Sequence, residues 1–359
     1  MDKKAFDFWL YSTQGIGKKT FLQLKEAGYD GQNLYATDKD KLPDFLKEKQ
    51  KASIINAKAL TEMQIEEKYE KLRSQGIFMT VFGDIDYPER FYKIPDTPAV
   101  LFYKGALPKK MEKSIAIIGA RNCSEYGKSV AREFADFFAQ NHMTVISGMA
   151  RGIDSFAQQK ALESGGNSVA VLGCGVGVCY PYENLFLYRE LIKKGCVLSE
   201  YFPYENARAN YFPQRNRLIS GLADAILVVE AKEKSGTFIT VEMALEQGKD
   251  VYVVPGRVTD LLSRGCNKLL YEGANMAISP EKMVEDIYGE QICVSAIRTE
   301  ENLSKEEKMI LSFLESTPLH INVLQKRLGI SVEVIQKTLF HLILKGKVEQ
   351  TMNGWFHKV

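Results

Sequence analysis

Histidine is scarce in this 359-residue chain, with four residues, and its six cysteines are scattered. Cys123, Cys174, Cys179, Cys196, Cys266 and Cys293 form no C-x-x-C pair, and no histidine stands at zinc-ligand spacing from any of them. Neither a disulfide framework nor a metal site is expected, and the thiols should be reduced and mostly buried. Long apolar runs are also missing: each is broken by glycine or charge well short of the ~20 residues that span a bilayer. The start, MDKKAFDFWL, lacks the apolar region of a signal peptide. These absences argue against membrane insertion and secretion and point to the cytoplasm. The formal net charge of +2 is too small to advertise a nucleic-acid partner by itself, so any anion site must be local.

What is present is an alternation. Residues 1–75 read as a small helical domain, with an amphipathic start through Trp9 and Leu10 and a break at Gly15-Ile16-Gly17. A short helix follows to Gly28, then a long charged helix from about Ala52 to Arg73. From residue 76 to 113, β-branched and aromatic residues punctuated by Pro88, Pro95 and Pro98 suit an extension along a sheet edge. Beyond it, apolar strands at 115–118, 144–147, 169–172, 196–199, 225–229 and 251–254 alternate with helical stretches. That pattern predicts right-handed crossovers and a parallel, extended Rossmann-like α/β core over residues 76–290. A polar linker at 291–302 leads to three helical stretches and a hairpin hinged at Asn353-Gly354, the order of a winged helix over 303–359.

The unusual residues gather where the strands end, the edge at which open α/β sheets hold ligands. Ile118-Gly119-Ala120-Arg121 leads into a helix starting near 125–127, where free amides and Arg121 suit a phosphate. Ser147-Gly148-Met149-Ala150-Arg151-Gly152-Ile153-Asp154 repeats that chemistry, with Asp154 read as a helix cap. Gly173-Cys174-Gly175-Val176-Gly177 would let a phosphodiester or base lie on bare backbone, with Tyr180 or Phe186 to stack and Asn184 nearby. The spacing of those glycines fails the GxGxxG dinucleotide fingerprint, so NAD and FAD are disfavoured and no cofactor is expected. Arg215-Asn216-Arg217 follows Pro213 in the first turns of a helix, where cations fit only beside an anion; one arginine is expected to pair instead with Glu200 or Glu230. Ser235-Gly236-Thr237 opens another helix, and Lys268 adds charge at the same edge.

The strings GARNCSEYG, SGMARGID, LGCGVGVCYP, FPQRNRLISGL, VVEA, SGTFIT, VPG and SRGCNKLL, in this order, resemble the DprA (Smf) family of bacterial DNA-processing proteins over about residues 87–277. The resemblance implies an extended Rossmann fold that binds and protects single-stranded DNA, helps load the RecA recombinase in natural transformation, and self-associates as a homodimer. It places phosphate contacts on Arg121 and Arg217 more firmly than on Arg151 or Arg215. The serine-glycine turns fall on Ser147-Gly148 and Ser235-Gly236, and the family's late lysine on Lys268. Where the family commonly carries histidine after GIDxxA, this chain has Gln158. Residues 15–20 look like a SAM- or helix-hairpin-helix-like turn, for which a structural role is at least as good a reading. The winged-helix segment is thinly basic, which favours protein contact or an accessory role.

Two rival classes follow from the same residues. A nucleotide phosphoribohydrolase would use a PGGxGTxxE string, whereas Lys234-Ser235-Gly236-Thr237 lacks the double glycine and the core holds only His142 for acid–base work. A pure adaptor acting through partners is compatible with DNA binding. The expectation is therefore a non-enzymatic binder with low sequence preference.

Overall fold

The structure, a computed structural model, describes residues 2–107, 111–289, 304–314, 319–344, 346–351 and 354–358. The chain divides into two compact units, Met1–Gln291 and Ile292–Val359. In the first unit, five helices precede the sheet: α1 (Lys3–Ser12), α2 (Lys18–Glu26), α3 (Gly31–Ala36), α4 (Glu48–Ala57) and α5 (Glu62–Arg73). The single long helix expected from 52 to 73 is two. Thr61 and Gln64 cap the start of α5 reciprocally, the Thr61 hydroxyl accepting from the Gln64 amide at 3.3 Å and Gln64 Oε1 accepting from the Thr61 amide at 2.9 Å. Charge patterning runs straight through such a cap and does not reveal it. Phe6, Leu10 and Phe21 belong to the same apolar cluster as Phe102, Leu191 and Val197, so residues 1–75 share a core with the sheet.

Among the described residues nine strands follow: β1 (Phe78–Val81), β2 (Val100–Gly105), β3 (Ser114–Ile118), β4 (Thr144–Ser147), β5 (Asn167–Val171), β6 (Cys196–Ser199), β7 (Ala225–Val228), β8 (Asp250–Val253) and β9 (Asn275–Met276). Their order is β1-β2-β6-β5-β4-β3-β7-β8-β9. From β6 to β9 every pairing is parallel, while β1 and β2 add antiparallel at the β6 edge. Residues in β3, β4, β6 and β7 are buried throughout, as expected where helices cover both faces of a parallel sheet. The covering helices are α6 (Glu125–Gln140), α7 (Ile153–Glu163), α8 (Leu185–Lys194), α9 (Tyr211–Leu222), α10 (Thr237–Glu246), α11 (Arg264–Tyr271) and α12 (Pro280–Tyr288). Strand order reverses between β3 and β7, since β4 to β6 lie on one side of β3 and β7 to β9 on the other. That reversal leaves a crevice at the carboxyl ends of the two strands.

In the second unit, α13 (Lys305–Phe313), α14 (Ile321–Leu328) and α15 (Val332–Leu344) pack with a small sheet ordered β10 (Leu319–His320), β12 (Trp355–Lys358), β11 (Val348–Thr351). Ile310, Leu324, Ile335, Leu339 and Phe356 form its core. Val334 is 42% exposed because it lies off the stripe formed by Ile335, Leu339 and Leu342. The linker expected at 291–302 and Asn353 of the expected hinge lie outside the described residues. Among the described residues, no helix is long and apolar enough to cross a membrane.

Candidate nucleic-acid interface

A cavity of about 740 Å³ opens at the β3/β7 reversal. It is walled by the loop after β3 (Gly119 to Asn122), the start of α9 (Phe212, Pro213, Arg215, Asn216) and the segment from Lys232 to Thr240, with Tyr180 at its rim. Gly152 sets the loop geometry. Its φ is +77°, and a Cβ there would sit 2.2 Å from the Ala120 carbonyl oxygen, which accepts a bond from the Ile153 amide at 3.2 Å. The turn after β3 is thereby sewn to the first turn of α7.

At the floor lies Arg215, only 5% exposed, which donates to the carbonyls of Gly148 (3.0 Å) and Val171. Asp154, 7% exposed, is its electrostatic counterpart and accepts from the Gly148 amide at 3.1 Å. Burial pushes the Asp154 carboxyl up against the pull of Arg215, and burial also pushes the Arg215 guanidinium down to about 10. Arg215 therefore keeps its charge at neutral pH. Above the floor, the exposed Arg121 lies with its guanidinium 5.7 Å from the centre of the Phe212 ring, and Phe212 in turn meets Tyr180 at 5.4 Å. Lys232 and Lys234 complete the wall; like Arg121 they have no carboxylate at ion-pair distance among the described residues. The lining is cationic with an aromatic shelf and contains no histidine.

Several sequence expectations need correction here. Of the amides at the start of α6, expected to be free for a phosphate, those of Ser124 and Gly127 are already engaged, the latter donating to the Ser124 hydroxyl at 3.0 Å. Glu230, 3% exposed, accepts from the Ser124 amide at 2.9 Å and from the Ser124 hydroxyl, placing a protein carboxylate at the positive end of the helix. Gly127 makes the room, since a Cβ there would lie 2.4 Å from the Glu230 carboxylate. Similarly, the glycines after β5 admit protein rather than ligand. A Cβ on Gly173 would lie 2.8 Å from the Phe212 ring, and one on Gly175 2.0 Å from the Phe202 carbonyl oxygen.

Of the residues singled out from sequence, Gly119, Arg121, Tyr180, Arg215, Asn216, Ser235 and Gly236 line the cavity together. The remaining residues expected to contact DNA do not line it. Ser147 is buried and donates to the Ile117 carbonyl at 2.6 Å. A Cβ on Gly148 would strike the Arg215 guanidinium at 2.6 Å, so that glycine gives Arg215 its place. Arg151 pairs with Glu183 at the surface, and Asn184 donates to the Met149 carbonyl at 2.9 Å. Phe186 is 70% exposed, and Lys268 lies 5.7 Å from the Phe238 ring and pairs with Glu272 at 3.6 Å. Arg217, ranked above Arg215 from sequence, is held by Glu200 and, at 2.7 Å, by Asp96; it borders a separate cavity beside Lys18 and Gly17. Glu242, the first acid downstream of the Ser235-Gly236-Thr237 turn, is exposed and lies off the lining. Gln158 is fully buried and binds the Met149 amide (3.0 Å) and Ser168, fixing the loop in which Met149 has φ +52°. Lys232 and Lys234 were missed. Their signal was a K-E-K string directly after the β7 strand end.

Sequence profiles match on both sides of residue 291. That of the family described as DNA recombination-mediator protein A covers residues 78–288, and that of the DprA winged helix domain covers residues 295–354. The DNA processing protein DprA of Streptococcus pneumoniae is 38% identical over 228 residues, 63% of this chain and 78% of that protein. The X-ray structure of DNA processing protein A from S. pneumoniae superposes with a TM-score of 0.66 at 30% identity, covering 79% of this chain and 98% of that one. A structure of the Helicobacter pylori protein, described for its single-stranded DNA binding mode, gives a TM-score of 0.53 at 28% identity, with 58% and 94% coverage.

Proposed function

The chain belongs to the DNA recombination-mediator protein A family, and from that premise we propose that it binds and protects single-stranded DNA in the β3/β7 cavity, without catalysis, and helps load a RecA recombinase onto it. The observation that carries this reading is the set of three cations, Arg121, Lys232 and Lys234, without carboxylate partners among the described residues, around the Phe212–Tyr180 shelf. Phosphates would meet the cations and a base would lie on the shelf, a mode indifferent to sequence. Among the described residues, the only carboxylate in the lining, Asp154, is buried beside Arg215 and poorly placed for acid–base work. Work in the cytoplasm, homodimerisation through the core, and a division of labour among residues 1–75, 76–290 and 303–359 belong to the same proposal.

Fluorescence anisotropy with oligo-dT tests it. If each of the three cations neutralises one phosphate, log affinity should fall against log salt with a slope of about −2, and Arg121→Ala should reduce that to about −1.4. An unchanged affinity and slope in Arg121→Ala, or equal affinity for duplex and single strands, would refute the site. Light scattering with and without oligonucleotide, and RecA filament assembly in the presence of the protein, test the two assembly claims separately.

A further inference from the structure

Next to the cavity, the loop between β8 and α11 is built as a rigid shelf. Gly256 and Asn267 exchange two hydrogen bonds, the Gly256 amide to Asn267 Oδ1 at 3.2 Å and Asn267 Nδ2 to the Gly256 carbonyl at 3.0 Å. Within the loop, the Asp260 amide donates to the Arg257 carbonyl and the Ser263 amide to the Asp260 carbonyl, both at 3.0 Å. The Ala231 amide bonds the Leu262 carbonyl at 2.8 Å, and the Gly265 amide bonds the Ala231 carbonyl at 2.9 Å. The shelf is thus fastened to the strand end that precedes Lys232, and Leu262 is itself part of the cavity lining.

What the shelf displays is out of place on a tied-down loop facing only water. Val258 is 81% and Leu261 61% exposed, and Arg257 and Arg264 flank them, both exposed and without a carboxylate at ion-pair distance among the described residues. Three acids, Glu233, Asp260 and Glu272, the last paired with Lys268 at 3.6 Å, stand among five cations counting Lys232, Lys234 and Lys268, in a chain whose net charge is only +2. Apolar side chains between unpaired arginines match a chain of flat apolar bases joined by phosphates.

We propose that the single strand held in the cavity continues over this loop, with Arg257 and Arg264 as phosphate contacts and Val258 and Leu261 as the surface on which bases rest. The proposal rests on the reading of the cavity given above. It makes the bound footprint longer than the cavity and gives it a direction out of the crevice, past Leu262 toward α11.

The test compares oligo-dT of about 6 nucleotides, enough to fill the cavity, with one of about 15. Arg257→Ala/Arg264→Ala should leave affinity for the short strand unchanged. For the long strand it should lower the salt slope by about 1.4, which between ~50 and ~200 mM salt is a roughly seven-fold change in salt sensitivity. Arg257→Lys/Arg264→Lys should restore most of the slope, and Val258→Ser/Leu261→Ser should weaken long-strand binding without changing it. If the double alanine variant binds both lengths like the parent while Arg121→Ala weakens both, the shelf is refuted and the cavity stands. If Arg121→Ala weakens neither, the cavity reading fails first.

Discussion

Replacing Glu230 by glutamine removes an anion that the chain supplies to itself, and the geometry sets the size of the effect. The carboxylate is 3% exposed and accepts two bonds from Ser124, at the N-terminus of α6. A hydrogen bond to a charged acceptor contributes about 1.5–3 kcal/mol, and a charge at a partly buried helix end up to about 2 kcal/mol. Relief of the buried carboxylate's desolvation offsets part of the loss. The net expectation is a destabilisation of about 2–3 kcal/mol, or roughly 4–12 °C in Tm. Urea unfolding followed by circular dichroism measures it, and the m-value should not change. The salt slope for oligo-dT should also stay that of the parent, because no phosphate is counted at this helix end. A stability loss under about 0.5 kcal/mol, or a steeper slope in the variant, would mean that the α6 terminus is open to ligand after all.

Further outcomes follow from neighbouring groups. Arg217→Ala leaves Glu200 unpaired at a largely buried position and should cost about 3–5 kcal/mol of stability. At temperatures where the variant stays folded, oligo-dT anisotropy should match the parent; a proportionate loss of affinity would return Arg217 to the DNA site. Burial works to raise the carboxyls of Asp86 and Asp96, but the bonds from Lys4 and Thr80 to the first, and Lys18 with Arg217 at the second, hold both below the usual value. Their contribution to stability is complete above about pH 4 and is lost as pH falls through the lowered values; urea midpoints across that range should show a shallower acid limb in Lys4→Met. Burial pushes the thiol of Cys174 up to about 11, that of Cys266 up to about 12, and raises Cys196 as well. Iodoacetamide at about pH 8 should therefore spare these three until denaturant is added, as read by peptide mass mapping.

The parallel strands were legible because burial on both faces writes them as continuous apolar runs, and the crevice followed because strand-end glycines and arginines mark the carboxyl edge. What stayed hidden depends on partners far apart in sequence. Gly127 is small on account of Glu230, and Gly148 on account of Arg215; glycines that serve the protein's own packing look the same in one dimension as glycines that admit a phosphate. The ranking of the two α9 arginines was within reach. Positions two apart on a helix point about 200° apart, so Arg215 and Arg217 had to face different surroundings, and once one met the cavity the other had to turn toward Glu200 and Asp96. Gln158 stood out in the sequence only as a departure from a histidine, whereas its side-chain amide is consumed in holding the Met149 loop.

The pairing of β2 with β6 joins Phe102 to Ser199 and Gly105 to Cys196. On the ribosome, nearly a hundred residues of synthesis separate the two strands, about 5–20 s at typical elongation rates. For that interval β2 has only β1 beside it, and one edge of the young hairpin stays open while β3, β4 and β5 are still being made. Nascent chains arrested before Cys196 should accordingly be cut by protease near β2, and chains arrested well past Ser199 should be protected there. The first hundred residues of this protein are thus made early and finished late.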